Sequence, residues 1–362
     1  MSKIRVMIVE DSQVVRELLR HLIGSDSRLE VVAAVASAEE ALRLLERVSP
    51  DVISMDIRLP GMNGFEATQQ IMTRKPTPIV VVSASVEAED LNITMNALRA
   101  GALAVVEKPV GTSHADYATM AARLCSRLVN MSQVKVIRQR IDRGLTFSND
   151  ASKNKPQARA RKVVAPSLRP SVFRALGLVA STGGPNALTK LLGELPRPFP
   201  LPILLIQHIT ASFLDGFVSW LGSVSPFPTR LAKEGEVPVA GTVYLPPADQ
   251  HLQLQRGCLR LTRDELVCLQ RPSGTVLFQS MARSLGSGAL GVLLTGMGED
   301  GAEGLREIRE NGGYTIAEDE STAVVYGMPG AAVRLGAVCD LLPLNEIAPR
   351  IGDLLATEEG SL

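Results

Sequence analysis

Apolar positions along the chain fall into two rhythms: short unbroken runs, and longer stretches in which apolar residues return every three or four positions. Runs at Ile4–Val9, Val31–Val35, Val52–Met55, Ile79–Val82 and Leu103–Val106 are each followed by an amphipathic or loop-plus-helix stretch. After the first run, Val14, Val15, Leu18, Leu19, Leu22 and Ile23 share one helical face. Five such β-α units predict a doubly wound, five-stranded parallel sheet of flavodoxin-like type. From Val172 the alternation resumes, with runs at Leu176–Ala180, Ile203–Gln207 and Leu290–Leu294. Helices are predicted after Pro185, near Phe213–Leu221 and near Phe278–Leu285, and a β-rich stretch runs from Thr229 to Val267. This second part is predicted to be another α/β unit with a mainly parallel sheet.

Between the two units the periodicity fades after Ile141, and Ser148–Arg169 is rich in Lys, Arg, Asn, Ser, Ala and Pro. The pattern divides the chain into residues 1–131, a basic linker over 132–172 and residues 173–362. A chain of 362 residues exceeds what one core usually organises, which agrees with two domains. Lys plus Arg equals Asp plus Glu, 38 against 38, so there is no global attraction to nucleic acid or anionic membrane. The linker is basic but lacks aromatic residues on which bases could stack. No apolar run is long enough to insert into a membrane. Cys125, Cys258, Cys268 and Cys339 show no C-x-x-C spacing and stand among apolar residues. Four buried free thiols and a reducing, cytoplasmic setting are therefore expected.

In parallel α/β sheets chemistry gathers at the carboxyl ends of strands. In the first unit these ends deliver Glu10 and Asp11, then Asp56, Ser83 and Lys108. One acid could be a helix cap, as Asp11 or Ser12 could be for the first helix, but so many suitable groups on successive strand ends point to a shared site. Three carboxylates repel one another unless a cation joins them, and Mg²⁺ suits carboxylate, water and phosphate oxygens. Asp56 could then accept a phosphoryl group, with Lys108 and Ser83 contacting its oxygens.

In the second unit Ala180-Ser181-Thr182-Gly183-Gly184-Pro185 follows an apolar run. Pro185 suits the first turn of a helix, so Ser181 falls at a strand-to-helix elbow, either as a nucleophile or as a plain turn residue. His208 follows the run ending at Gln207 and shares that rim. Thr295-Gly296-Met297-Gly298-Glu299-Asp300-Gly301 follows Leu294. In such a loop Asp300 can reach an imidazole while amides near Met297 face a reacting carbonyl, which makes Ser181, His208 and Asp300 a candidate triad. A phosphate-cradling loop is the alternative, but it has neither a Lys nor Walker spacing.

Val9-Glu10-Asp11-Ser12, Met55-Asp56-Ile57-Arg58-Leu59-Pro60-Gly61-Met62-Asn63-Gly64 and Lys108-Pro109 resemble the receiver domain of bacterial response regulators. The resemblance implies Asp56 as phosphoacceptor, Glu10 and Asp11 with Asp56 as Mg²⁺ ligands, and Ser83 and Lys108 as the groups that signal phosphorylation. Val105 stands where many receivers carry an aromatic switch residue.

Ala180-Ser181-Thr182-Gly183-Gly184, Gln207-His208, Leu294-Thr295-Gly296-Met297-Gly298 with Asp300-Gly301, and Tyr326-Gly327-Met328-Pro329 resemble the catalytic domain of the chemotaxis receptor methylesterases, the CheB family. That resemblance implies a phosphorylation-regulated enzyme that hydrolyses glutamyl methyl esters of methyl-accepting chemoreceptors and deamidates certain receptor glutamines. It implies a chemotaxis histidine kinase as phosphodonor and no cofactor for the ester chemistry. It places Thr182 in the site lining and the Met297 amide in the oxyanion hole, beside the triad of Ser181, His208 and Asp300. The sequence departs from the family at Val179, where Gly is usual, and at Gly274-Thr275, where Pro-Ser-Val-Asp reads Pro272-Ser273-Gly274-Thr275.

Overall fold

The computed structural model describes residues 2–83, 88–109, 117–134, 136 and 173–359. Of the linker expected over 132–172, everything except 132–134 and 136 lies outside the described residues.

Five strands, β1 (Ile4–Val9), β2 (Leu29–Val35), β3 (Val52–Met55), β4 (Ile79–Ser83) and β5 (Ala104–Glu107), form a parallel sheet in the order β2-β1-β3-β4-β5. Helices α1 (Gln13–Ser25), α2 (Ala38–Val48), α3 (Gly64–Arg74), α4 (Ala88–Arg99) and α5 (Tyr117–Ser132) connect and cover it. Their starts are written in the sequence. The Ser12, Ser37 and Asn63 side chains each accept a first-turn amide, and Asn63 completes a capping box with Glu66. Residues 6–9 on β1 and all of β3 and β4 are buried, as a sheet covered on both faces requires.

A second, seven-stranded parallel sheet has the order β14-β13-β12-β6-β7-β9-β8. Its strands are β6 (Ala175–Ala180), β7 (Ile203–Gln207), β8 (Thr229–Leu231), β9 (Val243–Leu245), β12 (Ala289–Leu293), β13 (Tyr314–Glu318) and β14 (Asp340–Leu342). The chain builds outward from β6 in one direction through β7 and in the other through β12. The order therefore reverses between β6 and β12, and the crevice outside that point is where an open α/β sheet accepts ligands. The β-rich middle contributes β8 and β9 to this sheet, plus an antiparallel hairpin of β10 (His251–Gln255) and β11 (Cys258–Thr262). Helices α6 (Gly184–Glu194), α7 (Ala211–Val224), α8 (Gly274–Leu285), α9 (Ala302–Glu310), α10 (Met328–Arg334) and α11 (Leu344–Glu359) complete the unit. The α/β architecture is thus the expected one, with α8 starting earlier than periodicity suggested because Ser273 caps it. Helix α4 of the first unit lies against α6 and α7, and Trp220 on α7 donates its indole N–H to Asn96 Oδ1 at 3.3 Å.

One expectation about the cysteines fails. All four are free, but only Cys125 and Cys339 are buried, while Cys258 is half-buried and Cys268 exposed. Cys268 and Leu269 occupy left-handed backbone (φ 52° and 61°) in a tight turn between the paired residues Val267 and Gln270, which holds the thiol outside any core despite its apolar neighbours. Among the described residues, no helix is long and apolar enough to cross a membrane.

Helices α8 and α9 approach closely because Gly304 lacks a side chain. A Cβ there would lie 2.5 Å from the Thr275 carbonyl oxygen and 2.8 Å from Phe278 Cβ. Gly304→Ala is therefore expected to lower unfolding free energy by about 1–3 kcal/mol in a urea titration, because the nearest obstacle is backbone and cannot rotate away.

Candidate active site

Ser181 follows β6 and turns sharply. Its carbonyl accepts the Gly184 amide at 2.9 Å and Gln207 Nε2 at 2.9 Å, while its own amide donates to the Thr295 carbonyl at 3.0 Å. Gly183 caps α6 in left-handed backbone at φ 80°, where a Cβ would collide with Val324. Pro185 occupies the first turn, as its missing donor allows. The glycine loop after β12 comes directly against the elbow: a Cβ on Gly296 would stand 2.8 Å from Ser181 Cβ and run into the Met328 sulfur. Thr182, almost wholly buried, offers its carbonyl to the Thr295 hydroxyl at 2.9 Å, and the half-buried Met297 follows Gly296.

His208 lies beside this turn because β7 is the neighbour of β6, and its amide donates to the Ala180 carbonyl at 3.1 Å. Its Nε2 is 2.9 Å from Asp300 Oδ2. Asp300 is 2% exposed, yet its carboxylate is fully provided with donors. Besides His208, it accepts the Ser273 hydroxyl at 2.6 Å, the Gly274 amide at 2.6 Å and the Thr275 amide at 3.1 Å. The last three come from the start of α8, where the helix dipole also favours negative charge. Burial alone would raise this carboxyl, but the hydrogen bonds and charge of His208, with Ser273 and Gly274, outweigh it and hold Asp300 below the usual carboxylate range. With Nε2 engaged by a carboxylate, Nε2 carries the ring proton and Nδ1 keeps its lone pair. His208 can therefore accept a proton at Nδ1 while Asp300 stabilises the resulting cation.

At the carboxyl edge of the first sheet, carboxylate oxygens of Glu10, Asp11 and Asp56 lie within 4.8 Å of one another. Lys108 Nζ sits 2.9 Å from Glu10 Oε2 and 2.8 Å from Asp56 Oδ2. Burial, with Asp56 beside it, raises Glu10, and burial raises Asp56 against the pull of Lys108. Lys108 is raised in turn: its burial favours the neutral amine, but Asp56 and Glu10 prevail. A single ammonium thus leaves the three acids short of positive charge, and an all-oxygen donor set with that deficit fits a hard divalent cation. Ser83 closes β4, the strand next to β3 and β5, on the same edge.

Residues 176–351 match the CheB methylesterase family, and residues 6–117 match the response regulator receiver domain. The chain is 59% identical over 353 residues, 98% of both chains, to a protein-glutamate methylesterase/protein-glutamine glutaminase of Paramagnetospirillum magneticum. A protein of the same name from Nitrosospira multiformis is 43% identical over 98% of this chain and 97% of its own. The crystal structure of the Thermotoga maritima CheB methylesterase catalytic domain is 33% identical, covers 51% of this chain and 98% of its own, and superposes with a TM-score of 0.48. The chain belongs to the CheB family.

The two departures from the CheB pattern meet in space. A Cβ on Gly274 would run directly into both methyl groups of Val179, so Val179 fills the room that a larger residue at 274 would take. Thr275 uses its hydroxyl to accept the Gly301 amide at 2.8 Å, tying α8 to the residue after Asp300. The third departure, Val105, pairs with Val81 and packs half-buried against the core.

Sequence reasoning missed the donors that hold Asp300. Ser273 stood out only within a departure from the CheB pattern, and its bond to an acid 27 residues on was not visible. It also missed Glu318, although the apolar strand before it (Tyr314–Ala317) ends in an acid just as β3 does. Gly274→Val is expected to destabilise the protein by about 1–3 kcal/mol through overpacking onto Val179. The double variant Val179→Gly/Gly274→Val should recover most of that loss, and a double-mutant cycle in denaturant reads the coupling.

Proposed function

We propose that this chain hydrolyses the γ-methyl esters of glutamate side chains on methyl-accepting chemoreceptors and deamidates receptor glutamines, under control of phosphorylation at Asp56. The observation that carries the reading is the buried Asp300 carboxylate, held by three α8 donors and bonded to His208 beside the Ser181 elbow. Ser181 Oγ attacks the ester carbon while His208 Nδ1 takes its proton. The Met297 amide and an amide of the elbow donate to the oxyanion, each worth roughly 3 kcal/mol in comparable sites. His208 returns the proton to the departing methoxide, releasing methanol, or to the amide nitrogen, releasing ammonia. Water, deprotonated by His208, then attacks the acyl-serine, and the glutamate carboxylate leaves with Ser181 restored.

In the first unit Glu10, Asp11 and Asp56 would hold Mg²⁺, which when bound supplies the positive charge that phosphoryl oxygens need. Asp56 attacks the phosphoryl group offered by a chemotaxis histidine kinase, and Lys108 and Ser83 contact the oxygens of the product. The reading divides the chain into a receiver at 1–131, a linker at 132–172 and a catalytic domain at 173–362. It places the protein in the cytoplasm, where four free cysteines stay reduced. Helices α6 and α7 begin beside Ser181 and His208, and α4 lies against both. Met297, Val324 and Val325 also pack against the side-chain cluster of the first unit. Phosphorylation adds about two negative charges at Asp56 and, in this reading, loosens that contact.

Methanol release from methyl-labelled chemoreceptor membranes tests both halves. Addition of Mg²⁺ and a small phosphodonor is expected to raise release by the wild type. Ser181→Ala should abolish it, and Asp56→Asn should remove the response to phosphodonor. Release that persists in Ser181→Ala would exclude the assigned nucleophile. A wild type that is phosphorylated yet releases no methanol would leave a phosphorylation-switched binding protein.

A further inference from the structure

Glu318 is 1% exposed at the end of β13, outside the triad, and one of its oxygens has a defined task. Oε2 accepts the Thr295 amide at 2.8 Å, whereas Oε1 has no hydrogen-bond partner among the described residues. Thr295 is the point at which three segments join. Its carbonyl accepts the Ser181 amide at 3.0 Å, and its hydroxyl donates to the Thr182 carbonyl at 2.9 Å and accepts the Val325 amide at 2.9 Å. The next residue continues the joint, since the Gly296 amide donates to the Val325 carbonyl at 3.0 Å and its carbonyl accepts the Met328 amide at 2.9 Å. Met297 follows at once. The nucleophile turn, the loop with the oxyanion amide and residues 325–328 are thus held together at Thr295 and Gly296, and Glu318 anchors the Thr295 amide.

A neutral acceptor would satisfy Thr295 equally well, so the presence of an acid has a consequence. The charged groups facing Glu318 are Lys190 on α6 and its neighbour Asp319. The Thr322 hydroxyl is close but is directed at the Asp319 carbonyl. Burial pushes the Glu318 carboxyl up to about 7, with Asp319 adding to the rise and the Thr295 amide, Thr322 and Lys190 opposing it. The group therefore changes charge near neutral pH instead of well below it.

We propose that Glu318 is a positioning residue of the esterase reaction, holding the Met297 loop against the Ser181 turn through Thr295, and that its ionisation lowers activity by placing negative charge behind the oxyanion-binding loop. The argument rests on the reading of Ser181 as nucleophile. A buried carboxylate bonded to the amide of Thr295, two residues before Met297, opposes the charge that forms on the substrate oxygen. Neutral Glu318 keeps the Thr295 bond without that opposition. Ionisation of Glu318 therefore gives the pH profile of the reaction an alkaline limb.

The test uses the full chain with Mg²⁺ and saturating phosphodonor, reading methanol release from methyl-labelled receptor membranes for wild type, Glu318→Gln and Glu318→Ala. At about pH 6 Glu318→Gln is expected within about twofold of wild type, and its ratio to wild type should rise at least about threefold by about pH 8.5 as the wild-type limb falls. Glu318→Ala leaves the Thr295 amide without an acceptor and should lower kcat/KM about tenfold at both ends. A Glu318→Gln profile parallel to wild type would overturn the charge effect, and full activity in Glu318→Ala would overturn the positioning role. Amide hydrogen exchange supplies a readout that needs no activity: Thr295 and Ser181 amides should exchange faster in Glu318→Ala and keep their protection in Glu318→Gln. If the wild type releases no methanol, the methylesterase reading fails, while equal protection in all three proteins would still refute the anchoring role.

Discussion

A carboxylate removed from water must find donors or give up its charge. Asp300 finds four: the His208 ring and three groups at the start of α8. Much else in the second unit follows from meeting that demand. Helix α8 must begin at Ser273, its first turn must sit under the loop after β12, and Gly304 must let α9 close behind it. Val179 on β6 and Gly274 on α8 interlock, so the strand that presents Ser181 and the helix that holds Asp300 are fixed to one another. His208 meets Asp300 through Nε2, at 2.9 Å.

Two other buried acidic sites show what happens when donors are fewer. Glu318 has one backbone donor on one oxygen, and burial prevails, leaving it poised near neutrality. Glu10 and Asp56 share Lys108 and are still raised by burial. The deficit suits a site that could hold a divalent cation, because the protein alone leaves it incompletely neutralised. All four acids are at most 4% exposed, and the number and charge of the donors set the direction in which each is shifted.

The architecture was legible because short unbroken apolar runs and helical rhythms report burial directly. The five strands of the first sheet, β6, β7 and β12 of the second, and the placement of Glu10, Asp56, Lys108, Ser181 and His208 at strand ends followed from that rhythm, whereas β13 and β14 did not. The topological switch between β6 and β12 was not legible, since strand order depends on pairing across more than 100 residues of chain. The Asp300 clamp was hidden for the same reason: Ser273 and Thr275 lie 27 and 25 residues before the acid they hold. The two CheB departures looked independent in sequence because only the fold brings Val179 onto Gly274. Cys268 looked buried because apolar neighbours were taken as a core, whereas a left-handed turn presents them to solvent.

The central claim is that Asp300 fixes His208 with its proton on Nε2 and its lone pair on Nδ1, ready for Ser181. The most direct measurement is the ¹⁵N NMR spectrum of the His208 ring in the full chain with the imidazole neutral. Nε2 should show the protonated, pyrrole-like shift and Nδ1 the unprotonated, pyridine-like shift, with the preference lost in Asp300→Ala. A protonated Nδ1 in the wild type, or the same tautomer in both proteins, would contradict the account.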